Sequence, residues 1–203
     1  MANLFVISAP SGCGKTSLIK ALIEKTDQLC VSVSHTTRVA RAGEIHGENY
    51  FFVSKETFEQ INADEGFIES AQVFDNYYGS AKQTVKDLLE KDQDVILEID
   101  WQGARQVEKS FPNLISIFIL PPSVKTLRER LTGRGQDDSA VIERRMQDAV
   151  SEMQHYDEFD YLVINDDFNV ALNDLSTIVN SQRLNFQQQT SKYQPLLKTL
   201  ITL

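Results

Sequence analysis

Only two cysteines occur among the 203 residues, Cys13 and Cys30, and no C-x-x-C pair is present. No disulfide framework can be built from them, so the chain reads as a reduced, intracellular protein. Excess positive charge is also missing: 29 acidic residues outnumber 20 basic ones, for a formal net charge of −9. That excludes the basic footprint of a nucleic-acid binder, and any anionic ligand must be held by local cations. Long apolar runs are lacking as well. The longest, LISIFIL, is far too short to span a bilayer, and the amino terminus has no basic segment ahead of an apolar stretch. The expected setting is cytoplasmic, with no membrane partner. The three histidines, His35, His46 and His155, show no metal-ligand grouping and are assigned no chemistry. Low-complexity tracts and internal repeats are absent, and 41% hydrophobic residues in a chain of this length suffice for one sizeable core.

What is present is a regular alternation. Apolar runs bounded by turn residues predict strands at 3–8, 94–99 and 114–120, separated by helical patterns at 15–26 and 101–110, which is βαβ order. A further strand at 161–165 precedes a long amphipathic helix expected over 167–189. The stretch from about 32 to 81 reads differently, with short strands around YFFV and FIESAQVF and a helix after Ser54, as a mixed α+β insertion. Residues 123–155 are helical and charged, with a glycine hinge at TGRGQ, and look like a lid. The expected architecture is α/β: a core of 1–33, 82–122 and 156–203 with a parallel sheet flanked by helices, an insertion at 34–81 and a helical lid at 123–155. Trp101 and the phenylalanines read as packing.

Where the first strand gives way to a helix stands SAPSGCGKTSL, residues 8–18. Its end, Gly12-Cys13-Gly14-Lys15-Thr16, fits the back half of G-x-x-x-x-G-K-[ST], with Ala9 at the first glycine position. In such a loop backbone N–H groups cradle phosphates, the lysine reaches the outer phosphates and the hydroxyl meets Mg²⁺. Glycine lets the backbone approach the phosphate, and the helix starting at Lys15 adds its positive end. The loop asks for a nucleoside triphosphate. Cys13, beside Lys15 and a helix amino terminus, has two readings: a thiol of lowered pKa, or a small residue filling the loop.

The second constellation is SHTTRVARAGEIHGENYFFV, residues 34–53. Arg38 and Arg41, with Glu44, Gly47 and Tyr50 after them, put two planar forks and a phenol where one phosphate could be gripped. Thr36, Thr37, Arg38, Arg41, Glu44, Gly47, Tyr50, Phe52 and Val53 match the guanylate kinase signature at every fixed position. The likeness runs on through EIDWQGARQV, LRERLTGRGQDDSAVIERRM and YLVINDD, over essentially the whole chain. The sequence thus resembles the bacterial-type guanylate kinases.

That resemblance implies transfer of the terminal phosphoryl group of ATP to GMP and dGMP, with Mg²⁺ accompanying ATP and no other cofactor. It makes the insertion the GMP-binding region, with Ser34, Glu69 and Ser80 on guanine and Arg38, Arg41, Tyr50 and Tyr78 on the GMP phosphate. The chemistry agrees, because guanine offers two adjacent donors and a carboxylate offers two acceptor oxygens, while hydroxyls can serve O6 and N7. ATP falls to Ser11, Gly12, Cys13, Gly14, Lys15, Thr16 and Ser17, with Arg134 and Asn165 toward adenine. Asp100, at the carboxyl end of a buried strand, is implied to serve Mg²⁺ waters, together with Thr16, or the acceptor; capping the next helix is a compatible role. Glu98, on the same strand face, supports that network. Among the lid arginines, Arg130, Arg134 and Arg145 match family positions, whereas Arg128 and Arg144 read as a solvated helix face. Phosphoryl transfer asks for positioning and charge neutralisation, so Lys15, Arg38, Arg41, Asp100, Arg130 and Arg145 form the implied catalytic set. Two alternatives stand behind it: a guanylate-kinase-like interaction module, which lacks the phosphate loop, and a kinase for another acceptor, against which Glu69 with Ser34 and Ser80 argues. No motif sets an oligomeric state.

Overall fold

The computed structural model describes residues 2–73, 75–133 and 139–202. In chain order the strands are β1 (Leu4–Ser8), β2 (Leu29–Val31), β3 (His35–Thr36), β4 (Phe51–Phe52), β5 (Phe67–Val73), β6 (Asn76–Ala81), β7 (Asp94–Glu98), β8 (Ile115–Leu120) and β9 (Tyr161–Ile164). The helices are α1 (Lys15–Lys25), α2 (Lys55–Ala63), α3 (Lys82–Glu90), α4 (Trp101–Ser110), α5 (Val124–Thr132), α6 (Ser139–Met153), α7 (Phe168–Arg183), α8 (Phe186–Lys192) and α9 (Gln194–Ile201).

Five strands form one sheet in the order β2-β7-β1-β8-β9, and every pairing in it is parallel. The central strand β1 is apolar at consecutive positions because both of its faces are covered. Phe5 and Ile7 join Leu18 and Leu22 of α1 and Leu172 and Leu175 of α7. Leu4 and Val6 point the other way, toward Val85 of α3 and Val107 of α4. The sandwich of helices on both sheet faces leaves the carboxyl ends of β1 and β7 open at one edge, the place where α/β sheets bind ligands.

A second sheet, β4-β3-β6-β5, is mixed: β3 pairs parallel with β4, and antiparallel with β6, which pairs antiparallel with β5. Its apolar side is covered by α2, whose Phe58 ring lies 4.5 Å from Phe67 and 5.6 Å from Tyr77 between centroids. Ile68 of β5 also enters the core under α3 and α4, which fixes this sheet to the first. A bulge between Phe67 and Glu69 brings Glu69 opposite Ser80 in the hairpin register.

The helix expected over 167–189 is in fact two. It ends at Arg183, and α8 restarts after Asn185, whose side chain accepts from the Gln187 N–H at 2.9 Å. The break follows from a capping residue inside an otherwise amphipathic run and from an anchor beside it. Arg183 Nε donates to Asp94 Oδ2 at 2.7 Å, and the buried Asp94 also accepts the Asn3 N–H at 2.6 Å. The remaining predicted strands and helices of the core agree with the structure to within one residue at each end. Five elements escaped prediction: the short strands β2 and β3, the hairpin strand β6, and the helices α3 and α9. Arg128 is not simply solvated, because it forms an ion pair with Glu143 that ties α5 to α6.

Candidate active site

The loop between β1 and α1 turns on Gly12 and Gly14, at φ of 90° and 85°, in the left-handed region that glycine adopts at no steric cost. The structure adds a packing reason to the one expected. A Cβ on Gly12 would lie 2.8 Å from Leu131 Cδ2, and one on Gly14 would lie 2.7 Å from Asn165 Nδ2. Gly14 is the residue before α1, so the helix begins with its free N–H groups facing the loop. Lys15 Nζ donates to the Ile99 carbonyl at 3.3 Å and Thr16 Oγ1 to Glu98 Oε1 at 2.5 Å. Both functional groups are thereby tied to the end of β7, the neighbour of β1. Ser17 stands exposed in the first turn of α1.

Cys13 settles on the packing reading. Its side chain is 0% exposed, among Leu127, Leu131, Met146 and Ala149. Burial pushes its thiol up to about 12, outweighing the opposite pull of Arg130 and Lys15. The helix terminus and lysine suggested a reactive thiolate, but the lid helices cover the sulfur and desolvation wins.

A second group of polar side chains is built by the second sheet. Ser34 Oγ and Ser80 Oγ lie 3.2 Å apart, and Glu69, 4% exposed, faces Ser80 across the hairpin. A Cβ on Gly103 would come within 3.0 Å of Glu69 Oε2, so the carboxylate rests on the first turn of α4. Burial raises the Glu69 carboxyl to about 7; a hydrogen bond from Ser80 opposes the shift and the Asp100 charge adds to it.

Glu44 organises the arginine loop. Its Oε1 takes Arg38 Nη2 at 2.8 Å and its Oε2 takes the Arg41 N–H at 2.7 Å, while Arg38 Nη1 donates to the Val39 carbonyl at 2.9 Å. Arg38 in turn holds the Glu44 carboxyl below the usual carboxylate range. The Arg38 guanidinium sits 5.5 Å from the Tyr50 ring centroid and 5.8 Å from that of Phe52, and Tyr78 stands edge-on to Tyr50 at 5.9 Å. Burial, with smaller contributions from Glu98 and Tyr78, pushes the Tyr50 phenol up to about 12, so it remains a neutral donor at physiological pH. The Arg41 guanidinium is exposed at the mouth of this loop.

Asp100 caps α4, its Oδ1 accepting the Gly103 N–H at 2.8 Å. Its charge also raises both Glu69 and Glu152, so it stands between the Glu69 pocket and α6. Residues of α5 and α6 are drawn onto the loop between β1 and α1. Arg145 Nη2 donates to Ser11 Oγ at 2.7 Å, and Arg130 Nη2 donates to the Asn165 carbonyl at 2.9 Å. Asn165 Nδ2 donates to the Cys13 carbonyl at 2.7 Å, so this residue braces the glycine-turned loop. Arg134 lies outside the described residues.

Two acidic groups escaped sequence reasoning. Asp148 and Glu152 of α6 follow Arg145 at helical spacing, on the side that meets the phosphate loop, and that spacing was the available signal. His155, to which no chemistry is assigned, serves packing: its ring stacks on Trp101 at 3.5 Å and its Nδ1 lies 2.6 Å from Glu158 Oε1. Arg105 grips the same Glu158 through Nε at 2.7 Å and Nη2 at 2.5 Å, joining α4 to the turn that follows α6. Among the described residues no group of three or more His, Cys, Asp or Glu side chains could hold a metal ion, and no helix is long and apolar enough to cross a membrane.

A family model described as guanylate kinase matches residues 1–182. The guanylate kinase of Methylococcus capsulatus is 56% identical over 198 residues, covering 98% of this chain and 97% of that one. That of Saccharophagus degradans is 56% identical over 200 residues, covering 98% of each. Among solved structures, guanylate kinase from Anaplasma phagocytophilum aligns with a TM-score of 0.77 at 32% identity, over 91% of this chain and 88% of its own. The SH3-kinase fragment of tight junction protein 3 shares the fold alone, with a TM-score of 0.51 at 13% identity over 89% of this chain and 57% of its own. With a family model over residues 1–182 and relatives 56% identical over nearly the whole chain, on top of a glycine-turned loop and a carboxylate-and-hydroxyl pocket, the chain belongs to the guanylate kinase family.

Proposed function

We propose that the chain transfers the γ-phosphoryl group of ATP to GMP, giving ADP and GDP, and accepts dGMP as well. The observation that carries this is the buried Glu69 beside Ser80 and Ser34, set across Asp100 from the lysine and threonine of the phosphate loop. In this reading Ser34, Glu69 and Ser80 hold guanine, and Arg38, Arg41, Tyr50 and Tyr78 hold the acceptor phosphate. None of these addresses the sugar 2′-hydroxyl, which is why dGMP serves too. Residues 11–17 hold the triphosphate, with Arg134 and Asn165 on the adenine side.

The donor set suits Mg²⁺. Thr16, Glu98 and Asp100 offer hard oxygens beside Lys15, with Thr16 Oγ1 already 2.5 Å from Glu98 Oε1. When bound with ATP, the ion neutralises charge on the outer phosphate oxygens. The chain's own part is positional. Lys15 draws the outer phosphates to the end of β7, Arg38 and Arg41 orient the acceptor phosphate, and Arg130 and Arg145 bring positive charge from the lid onto the group in flight. The lid, residues 123–155, closes over the core to exclude water, and the insertion, residues 34–81, carries GMP toward it. No covalent nucleophile takes part. The setting is the cytoplasm, where ATP is made and unbridged thiols such as Cys13 and Cys30 persist.

ADP release, measured in a coupled assay with GMP, dGMP, AMP and UMP in turn, tests the reading. GMP and dGMP should turn over, with kcat/KM for AMP and UMP at least about a hundredfold lower. Comparable turnover of AMP or UMP would refute the guanine assignment.

A further inference from the structure

Helix α4 lies against β5, which is the edge strand of the second sheet. Val107 shares a core cluster with Ile68, a Cβ on Gly103 would come within 3.0 Å of Glu69 Oε2, and Gln106 reaches the backbone of Ser70. The last contact is a closed pair of hydrogen bonds. Gln106 Oε1 accepts the Ser70 N–H at 3.0 Å, and Gln106 Nε2 donates to the Ser70 carbonyl at 3.0 Å. Ser70 Oγ in turn donates to Asn62 Oδ1 of α2 at 3.1 Å, so two helices hold this residue.

An edge strand presents N–H and C=O groups that no neighbouring strand takes. The side-chain amide of glutamine carries a donor and an acceptor side by side, so Gln106 stands in for the missing strand at Ser70. The consequence falls on residue 69. The N–H that Gln106 accepts belongs to the planar peptide joining Glu69 to Ser70, so this bond fixes the backbone from which the Glu69 side chain projects. Asp100, Gly103 and Gln106 follow one another at intervals of three and therefore share one side of α4. That side carries Asp100, which caps the helix through the Gly103 N–H at 2.8 Å, then the seat of the Glu69 carboxylate, then the grip on its backbone.

We propose that Gln106 is a positioning residue for base recognition: its paired hydrogen bonds with Ser70 hold the Glu69 carboxylate in register with α4, and so with Asp100, where guanine is read. The proposal rests on Glu69 reading guanine. Gln106 acts only through Glu69. Without its grip the β5 edge is free to shift away from α4, and a carboxylate displaced by a fraction of an ångström loses alignment with both donors of the base. The phosphate loop is built from other elements, β1 and α1, so ATP binding should not register the change.

Steady-state kinetics with GMP and AMP, and calorimetric titration with MgATP, on the full chain as wild type, Gln106→Met, Glu69→Gln and the double variant test this. Methionine keeps the length of glutamine and removes both hydrogen bonds. Gln106→Met should raise KM for GMP by about tenfold and lower the ratio of kcat/KM for GMP over AMP by about fivefold or more, with kcat within about threefold. The Kd for MgATP should stay within about twofold, which also shows that the variant is folded. In the Glu69→Gln background the same substitution should move the ratio by less than about twofold, because the carboxylate it positions is gone. Gln106→Ala, which removes the same two bonds, should repeat the loss and keeps the test intact if the methionine variant does not fold. An unchanged ratio in the Gln106 variants, or an equal fall in both backgrounds, would overturn the positioning role alone, provided that Glu69→Gln lowers the ratio. An unchanged ratio in Glu69→Gln itself would overturn the guanine reading and the positioning role together.

Discussion

Replacing Lys15 with methionine should lower kcat by at least about a hundredfold while changing the Kd for GMP by less than about twofold. The ammonium is held at the end of β7 by the Ile99 carbonyl at 3.3 Å, where a transferring phosphoryl group would gather charge. Methionine keeps the length and the apolar stem and removes only that charge. The acceptor pocket is built from other elements, β3, β5, β6 and the arginine loop, so it should be indifferent. Single-turnover kinetics with saturating GMP, paired with GMP titration of the same variant, separate the two effects. Loss of GMP affinity as large as the loss of turnover would mean that the two sites are misassigned.

Replacing Glu69 with glutamine should lower the ratio of kcat/KM for GMP over AMP by about tenfold or more. The substitution is nearly isosteric but turns one acceptor oxygen into a donor. Facing guanine, that amine would meet N1–H or the exocyclic amine, leaving buried donors unmatched at about 1–3 kcal/mol. Adenine offers an acceptor at N1 instead, so the variant's loss falls mainly on GMP. Glu69 is buried to 4% exposure, so water cannot readily make good the lost acceptor. An unchanged ratio would pass the discrimination to Ser34 and Ser80.

Much of this was legible because the two halves of the site are written locally. Glycines, lysine and threonine in one short loop specify a phosphate cradle, and the apolar runs of β1, β7 and β8 specify a sheet covered on both faces. Glu69, by contrast, is an ordinary strand residue in the sequence; its burial comes from a bulge in β5 and from α4 standing against it. Long-range partners were not legible. The glycines at 12 and 14 make room for Leu131 and Asn165, and nothing near them in sequence says so. Cys13 kept two readings open for a related reason: its local neighbours favour a thiolate, while residues more than a hundred positions away desolvate it.

Protons exchanged on GMP binding test the assignment of Glu69 most directly. Burial raises its carboxyl to about 7 in the free protein, so about half of the molecules carry the proton at pH 7. Guanine donates two hydrogen bonds to the charged form, which lowers the pKa in the complex, so binding must expel that proton. The affinity for GMP should accordingly weaken as pH falls below about 7 and level off above it. The GMP phosphate itself titrates near pH 6 and also releases protons, but it does so equally in Glu69→Gln, which serves as the reference. Titration in buffers of different ionisation enthalpy should show the wild type releasing up to about half a proton more than Glu69→Gln at pH 7, with the difference vanishing by about pH 9. Equal release by the two proteins at every pH would contradict a guanine-reading carboxylate at position 69.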